Sequence, residues 1–257
     1  MATLTLNIEG PPGRVPASTL ATVLTESLHI LEDLRRSVAR NQQVKWYVTG
    51  LRMGSAVAVL AADDLTDAPL RVSHEYIHGL GVVESGEGLP SYFPDSSLTS
   101  LVRMTKVLGS DDARSLRASI GQDGESEVAR VTKAAGAHVG ELRSPRAHAL
   151  GSITGILDTI SLRGQRPKFQ VLDPVSRRPV MCQFSTARTE AVKEVLGRRV
   201  TVQGTIIRNA KGQPLRVEEP AFEVVAQTPP LTGLVGIDPE FTGGLPLDKY
   251  MELVRAW

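Results

Sequence analysis

The sequence predicts an α+β protein: an N-terminal α/β sandwich-like domain (1–140), a small five-stranded closed β-sheet (149–226) and a C-terminal helical tail (227–257). Three observations predict it. A strand, a leucine-striped helix and two further strands open the chain. Residues 149–226 then follow the order three strands, one helix, two strands. The last segment begins TPPLTGLVG and ends in the amphipathic LPLDKYMELVRAW.

Along the first domain, TLTLNIE (3–9) alternates Leu4, Leu6 and Ile8 with polar neighbours, the period of a half-buried strand. After the turn PPG, a helix enters at Ser18, and Leu20, Val23, Leu24, Leu28, Leu31, Leu34 and Val38 form one stripe. QVKWYVT (43–49) and SAVAVLAA (55–62) read as strands joined through Gly50 and Gly54. A helix over 69–80 has Asp67 as cap and Pro69 in its first turn, with Gly79 and Gly81 as its end. Residues 84–96 read as a loop, 97–108 as a helix, 114–120 and 126–133 as strands, and 134–148 as a linker.

In the second domain, ALGSITGILDTISL is a long strand whose Gly151 and Gly155 permit a sharp bend. KFQVLD and RPVMCQFS follow, with Phe169, Val171, Val180, Cys182 and Phe184 alternating inward. TARTEAVKEVLG is a short helix, and RRVTVQGTII and LRVEEPAFEVV complete the set. In the tail, Leu247, Tyr250, Met251, Val254 and Trp257 recur at helical spacing, an apolar face suited to a partner's groove.

Of the 257 residues, 41% are hydrophobic and 22% charged, an ordinary globular balance, while aromatics reach only 4%, so the cores must be aliphatic. Cys182 is the single cysteine, which excludes an internal disulfide and points to a reducing compartment. No apolar run approaches the roughly 18 residues that cross a bilayer, and MATLTLNIEG has no secretory pattern. The expectation is a cytoplasmic protein with no membrane association.

The order of elements over 149–226 resembles the OB superfamily, a five-stranded barrel that binds ligands on its second and third strands and adjoining loops. The segment carries 12 Lys and Arg against 7 Asp and Glu. The resemblance implies a nucleic-acid-backbone site at Arg163 and Arg166 (first loop), Lys168, Arg177 and Arg178 (second turn), and Arg208 and Lys211 (last loop). Its aromatics, Phe169, Phe184 and Phe222, offer no stacking surface if the first two face inward, so a protein ligand is the other reading. LTLNIEG, VKWYVTGLRMGSAVAVLAA and the OB-like end resemble an uncharacterised family of two-domain bacterial proteins. The tail resembles antitoxin C-termini, which implies a protein partner such as a toxin.

One motif argues for chemistry. In HEYIH, His74 and His78 lie four residues apart on one helix face, the spacing of two zinc ligands, with Glu75 as general base. The continuation to Glu84 resembles metzincin-like peptidases and implies Glu84 as third ligand, although that family has a histidine there. No Walker loop, GxGxxG or GxSxG is present. The reading is a non-catalytic binding or adaptor protein with no cofactor; the alternative is a zinc-dependent metallopeptidase.

Overall fold

Leu4, Leu6 and Ile8 point alternately inward along the first strand, β1 (Ala2–Glu9), and are buried. The computed structural model of the chain describes residues 2–39, 42–52, 56–62, 66–120, 127–163, 166–174, 177–225, 242 and 244–255. Among them are two five-stranded sheets and six helices, an α+β architecture.

β1 is the central strand of the first sheet. The order is β2 (Trp46–Arg52), β3 (Val57–Ala62), β1, β4 (Ser115–Ile120), β5 (Val128–Val131), and every neighbouring pair is antiparallel. The inward side chains of the sheet share one core with α1 (Ala17–Val38), α2 (Ala68–Ser85), α3 (Asp95–Lys106) and α4 (Lys133–Leu142). Leu31 and Leu34 of α1, Tyr76 and Leu80 of α2 and Leu98 and Leu101 of α3 are among its fully buried residues. The Tyr76 hydroxyl lies 2.8 Å from Ser27 Oγ, so the ring is buried with its polar end satisfied.

Two expectations are corrected here. α2 does not stop at Gly79 and Gly81; it continues to Ser85 and ends at Gly86, whose φ of 69° is left-handed. Gly79 instead makes room for the Phe93 ring, which a Cβ at that position would overlap. The expected linker over 134–148 contains α4. Ala135, Val139 and Leu142 recur on its buried face, and the Thr132 hydroxyl accepts a hydrogen bond from Ala134 N at 3.2 Å. Two glycines diluted that pattern in the sequence, and one of them, Gly136, packs against Thr105 Oγ1.

The second sheet comprises β6 (Ala147–Ser161), β7 (Lys168–Asp173), β8 (Arg178–Gln183), β9 (Arg199–Arg208) and β10 (Pro214–Val224). A 3-10 turn (Thr186–Arg188) and α5 (Thr189–Glu194) lie between β8 and β9. β6 pairs with β7 and β9, β7 with β8, and β9 with β10, all antiparallel. A parallel pairing of β10 with β8, through Arg216 opposite Met181 and Val217 opposite Cys182, closes these pairings into a ring. The ring has its own core, built on Leu157, Phe169, Val171, Val180, Cys182, Val200, Val202 and Val217. Phe169 meets Phe184 and Phe222 with ring centroids 5.6 and 6.1 Å apart. β9 and β10 approach closely beside a register irregularity at Glu218: a Cβ at Gly204 would lie 2.6 Å from the Glu218 carbonyl oxygen.

Residues Met1–Val224 form one compact unit and Val225–Trp257 a second. Within the first, the ring is tied to the helical layer at the end of β6 that starts with Ala147. Tyr92 N donates to the Arg177 carbonyl at 2.7 Å, and Asn209 Nδ2 donates to the Leu142 carbonyl at 3.0 Å. Gln213 exchanges hydrogen bonds with both backbone groups of Leu89, at 2.8 and 3.0 Å. In the second unit, Leu247–Arg255 is helical (α6). No helix among the described residues is long and apolar enough to cross a membrane.

Candidate functional site

The strand registers divide the seven basic residues singled out in the ring into two groups. Ser161 of β6 lies opposite Lys168 of β7 at one end, and Ala147 lies opposite Arg208 at the other. Arg163, Arg166 and Lys168 therefore sit at the mouth formed by the β6–β7 connection. Arg208 and Lys211 belong to the β9–β10 loop at the opposite end. Arg177 and Arg178 are in the β7–β8 turn, which also points away from that mouth.

The first group is accessible. Arg163 and Arg166 are exposed and Lys168 is half-buried. Arg166 lines an open cleft of about 680 Å³ with Gln183, Ser185, Thr186, Arg188, Glu218 and Glu219. Arg188 went unnoticed in the sequence. It stands on the connection just after the third strand of the ring, and that position was the one available signal. Its Nη1 donates to the Pro220 carbonyl at 2.8 Å, which fixes the side chain beside the cleft. Glu218 accepts from Arg216 Nε at 3.0 Å, so part of the acidic lining is already neutralised. Glu219, at φ 52°, is held in the left-handed region that non-glycine residues seldom adopt.

The second group borders the seam with the helical layer, although the side chains of Arg177 and Lys211 are exposed. The Arg177 carbonyl receives Tyr92 N, and Arg208 Nη1 donates to the Gly212 carbonyl at 2.8 Å within its own loop. The loop of Lys211 is braced by Asn209 Oδ1, which accepts from Lys211 N and Gln213 N. Arg178 is 3% exposed. Its guanidinium is therefore not presented to solvent as the exposed Arg166 is. Burial pushes its pKa down to about 10, against the opposing pull of Asp95.

No aromatic ring of this sheet faces outward for stacking. Phe169 and Phe184 are buried and Phe222 is half-buried against Phe169. Cys182 is buried as its alternation implied, and burial pushes its thiol up to about 12.

On α2, His74, Glu75 and His78 line a second cleft of about 620 Å³ with Ser85, Glu87 and Glu127. His74 Nδ1 lies 2.7 Å from Glu127 Oε2. Glu127 is far away in sequence, and nothing in the motif announced it. Burial raises the pKa of Glu75, while His78, Arg177 and His74 lower it. Glu84 is turned elsewhere: its Oε2 accepts from Thr132 N at 2.8 Å and its Oε1 from the Thr132 hydroxyl at 2.6 Å. Both carboxylate oxygens thus hold the turn that starts α4. Among the described residues no three His, Cys, Asp or Glu side chains gather closely enough to hold a metal ion. His74 and His78 line the cleft, while Glu84, the expected third ligand, is engaged by Thr132.

In α6, Met251 is 42% and Leu253 56% exposed. Tyr250 is half-buried, while Trp257 and the side chains of Leu247 and Val254 lie outside the described residues. No protein-family model matches the chain, and no curated protein matches it either.

Proposed function

We propose that this is a binding protein without chemistry of its own, in which the closed ring is an OB-type barrel gripping the phosphate backbone of a nucleic-acid strand at one mouth. The strand order supports the barrel reading. The third strand pairs in parallel with the fifth, the first pairs with both the second and the fourth, and the helix lies between the third and fourth. The observation that carries the functional reading is the open cleft lined by Arg166 and Arg188, with Arg163 and Lys168 on the same β6–β7 connection.

Cations on a strand connection can follow successive phosphates, whereas specificity for bases would need stacking rings or base-edge donors. With the three phenylalanines turned to the core, the contact is one of charge. Its affinity is modest and tolerant of sequence. α6, with exposed Met251 and Leu253, gives the second unit an apolar face toward a protein partner of the kind its likeness to antitoxin tails implies.

The test is fluorescence anisotropy with labelled single-stranded DNA and RNA, on wild type and on the variant Arg163→Ala, Arg166→Ala, Lys168→Ala, Arg188→Ala. The variant should lose binding, while Arg208→Ala with Lys211→Ala leaves it unchanged. Equal affinity of wild type and the fourfold variant refutes the mouth as the site. Failure of wild type to bind either strand refutes a nucleic-acid ligand and leaves a protein as the ligand of the cleft.

A further inference from the structure

Arg178 begins β8 and is 3% exposed, yet its Nε and Nη1 have no hydrogen-bond partner. Buried polar groups in folded proteins are almost always satisfied, and an unpaired buried charge costs several kcal/mol. Asp95, the first residue of α3, and Arg143, just after α4, are the two charged groups that act on the guanidinium. Asp95 does not close the gap, because no ion pair joins it to Arg178. It lies instead 4.0 Å from Arg143 Nε. Arg143 also donates to Thr99 Oγ1 at 3.3 Å, which holds it against α3. The 12-residue helix α3 starts after Pro94 with no side-chain cap, so its first-turn amides add partial positive charge. Asp33 accepts from the Ser96 and Ser97 hydroxyls of that turn.

We propose that this seam between the β7–β8 turn and the start of α3 binds one oxyanion group, a phosphate or carboxylate, received by the free donors of Arg178 with Arg143 as the second cation. A guanidinium matches the geometry of an oxyanion, and a bond between two ionised groups is roughly twice as strong as a neutral one. Two guanidiniums and a helix start outweigh the single carboxylate of Asp95. Arg178 is 3% exposed, which a polymer backbone cannot follow inward, so the ligand is a small anion or the anionic end of a small molecule. It does not rest on the OB reading, since Arg178 lies in the turn pointing away from the Arg166 mouth.

The probes are inorganic phosphate and acetate, titrated into the full chain at constant ionic strength made up with chloride. Thermal unfolding and calorimetry follow binding. Saturable stabilisation by either anion is expected, and the stronger of the two identifies the ligand chemistry. Arg178→Met should lower the affinity roughly tenfold or more. In anion-free buffer it should be at least as stable as wild type, because the uncompensated charge is gone. Arg143→Gln, at a partly exposed position, should weaken binding less while folding normally, which keeps the test valid if Arg178→Met does not fold. Saturation by neither anion, an equal shift in wild type and Arg178→Met, or unchanged affinity in Arg143→Gln overturns the proposal.

Discussion

Replacing Gly155 by alanine should destabilise the ring, and the same change at Gly140 should do the opposite. A Cβ on Gly155 would overlap the carbonyl oxygen of Leu172 and come 2.7 Å from Val171 Cγ1. The Leu172 oxygen is backbone and cannot rotate away, so β6 and β7 would have to separate at this point. Overpacking of this kind costs about 3 kcal/mol at the upper end of its range. Alanine recovers roughly 0.5–1 kcal/mol of unfolded-chain entropy. The net loss is about 2 kcal/mol. At Gly140, exposed on α4, a Cβ would meet nothing within 4 Å, so helix propensity alone decides, with a gain of roughly 0.5–1 kcal/mol. Urea unfolding followed by circular dichroism measures both. With a slope of about 2 kcal/mol per molar, the Gly155→Ala midpoint should fall by about 1 M and that of Gly140→Ala should rise slightly. A Gly155→Ala midpoint equal to that of wild type would refute the close approach of β6 and β7.

Other consequences follow from single side chains. Because burial holds its thiol near 12, Cys182 should resist alkylation at about pH 8 in the folded protein and react quickly in urea; fast reaction in native buffer would contradict its inward position. Thr132→Ala removes the cap of α4 and one partner of Glu84, so the urea midpoint should fall by the equivalent of about 1–2 kcal/mol, and an unshifted midpoint would count against the Glu84–Thr132 link. Glu75 has a pKa above its ordinary 4.5 in the folded chain, so the folded state holds that proton more tightly than the unfolded one. Stability from this group is present at low pH and is lost as pH rises from 4.5 through the raised value. Glu75→Gln should flatten that part of the stability–pH curve, and an identical curve would show that burial does not act on this carboxyl.

The order of elements was legible because each carries its own period. β1 alternates, α1 repeats at 3.6, and the strands of the ring place Phe169, Val171, Val180 and Cys182 inward as their alternation requires. α4 was not legible because two of its ten residues are glycines, of which Gly136 makes a close approach to Thr105 of α3 and Gly140 makes none. The end of α2 was misread for the same reason, since Gly79 serves the Phe93 ring. The candidate site depended on which end of the ring each loop occupies. Charge counts cannot tell the exposed Arg166 from the buried Arg178, because that difference arises when the β7–β8 turn meets Tyr92 from another part of the chain. Similarly, a motif of five residues held His74 and His78 at ligand spacing but said nothing of Thr132, which engages Glu84, or of Glu127, which meets His74.

The claim that four cations at one mouth carry the binding is tested most directly by salt. The affinity for a single-stranded oligonucleotide, measured across sodium chloride concentrations, should fall with a log–log slope of about −3, the value for four neutralised phosphates on a single strand. Loss of Arg166 and Arg188 together should bring the slope to roughly half of that. A slope near zero, or one that these substitutions leave unaltered, would contradict the account.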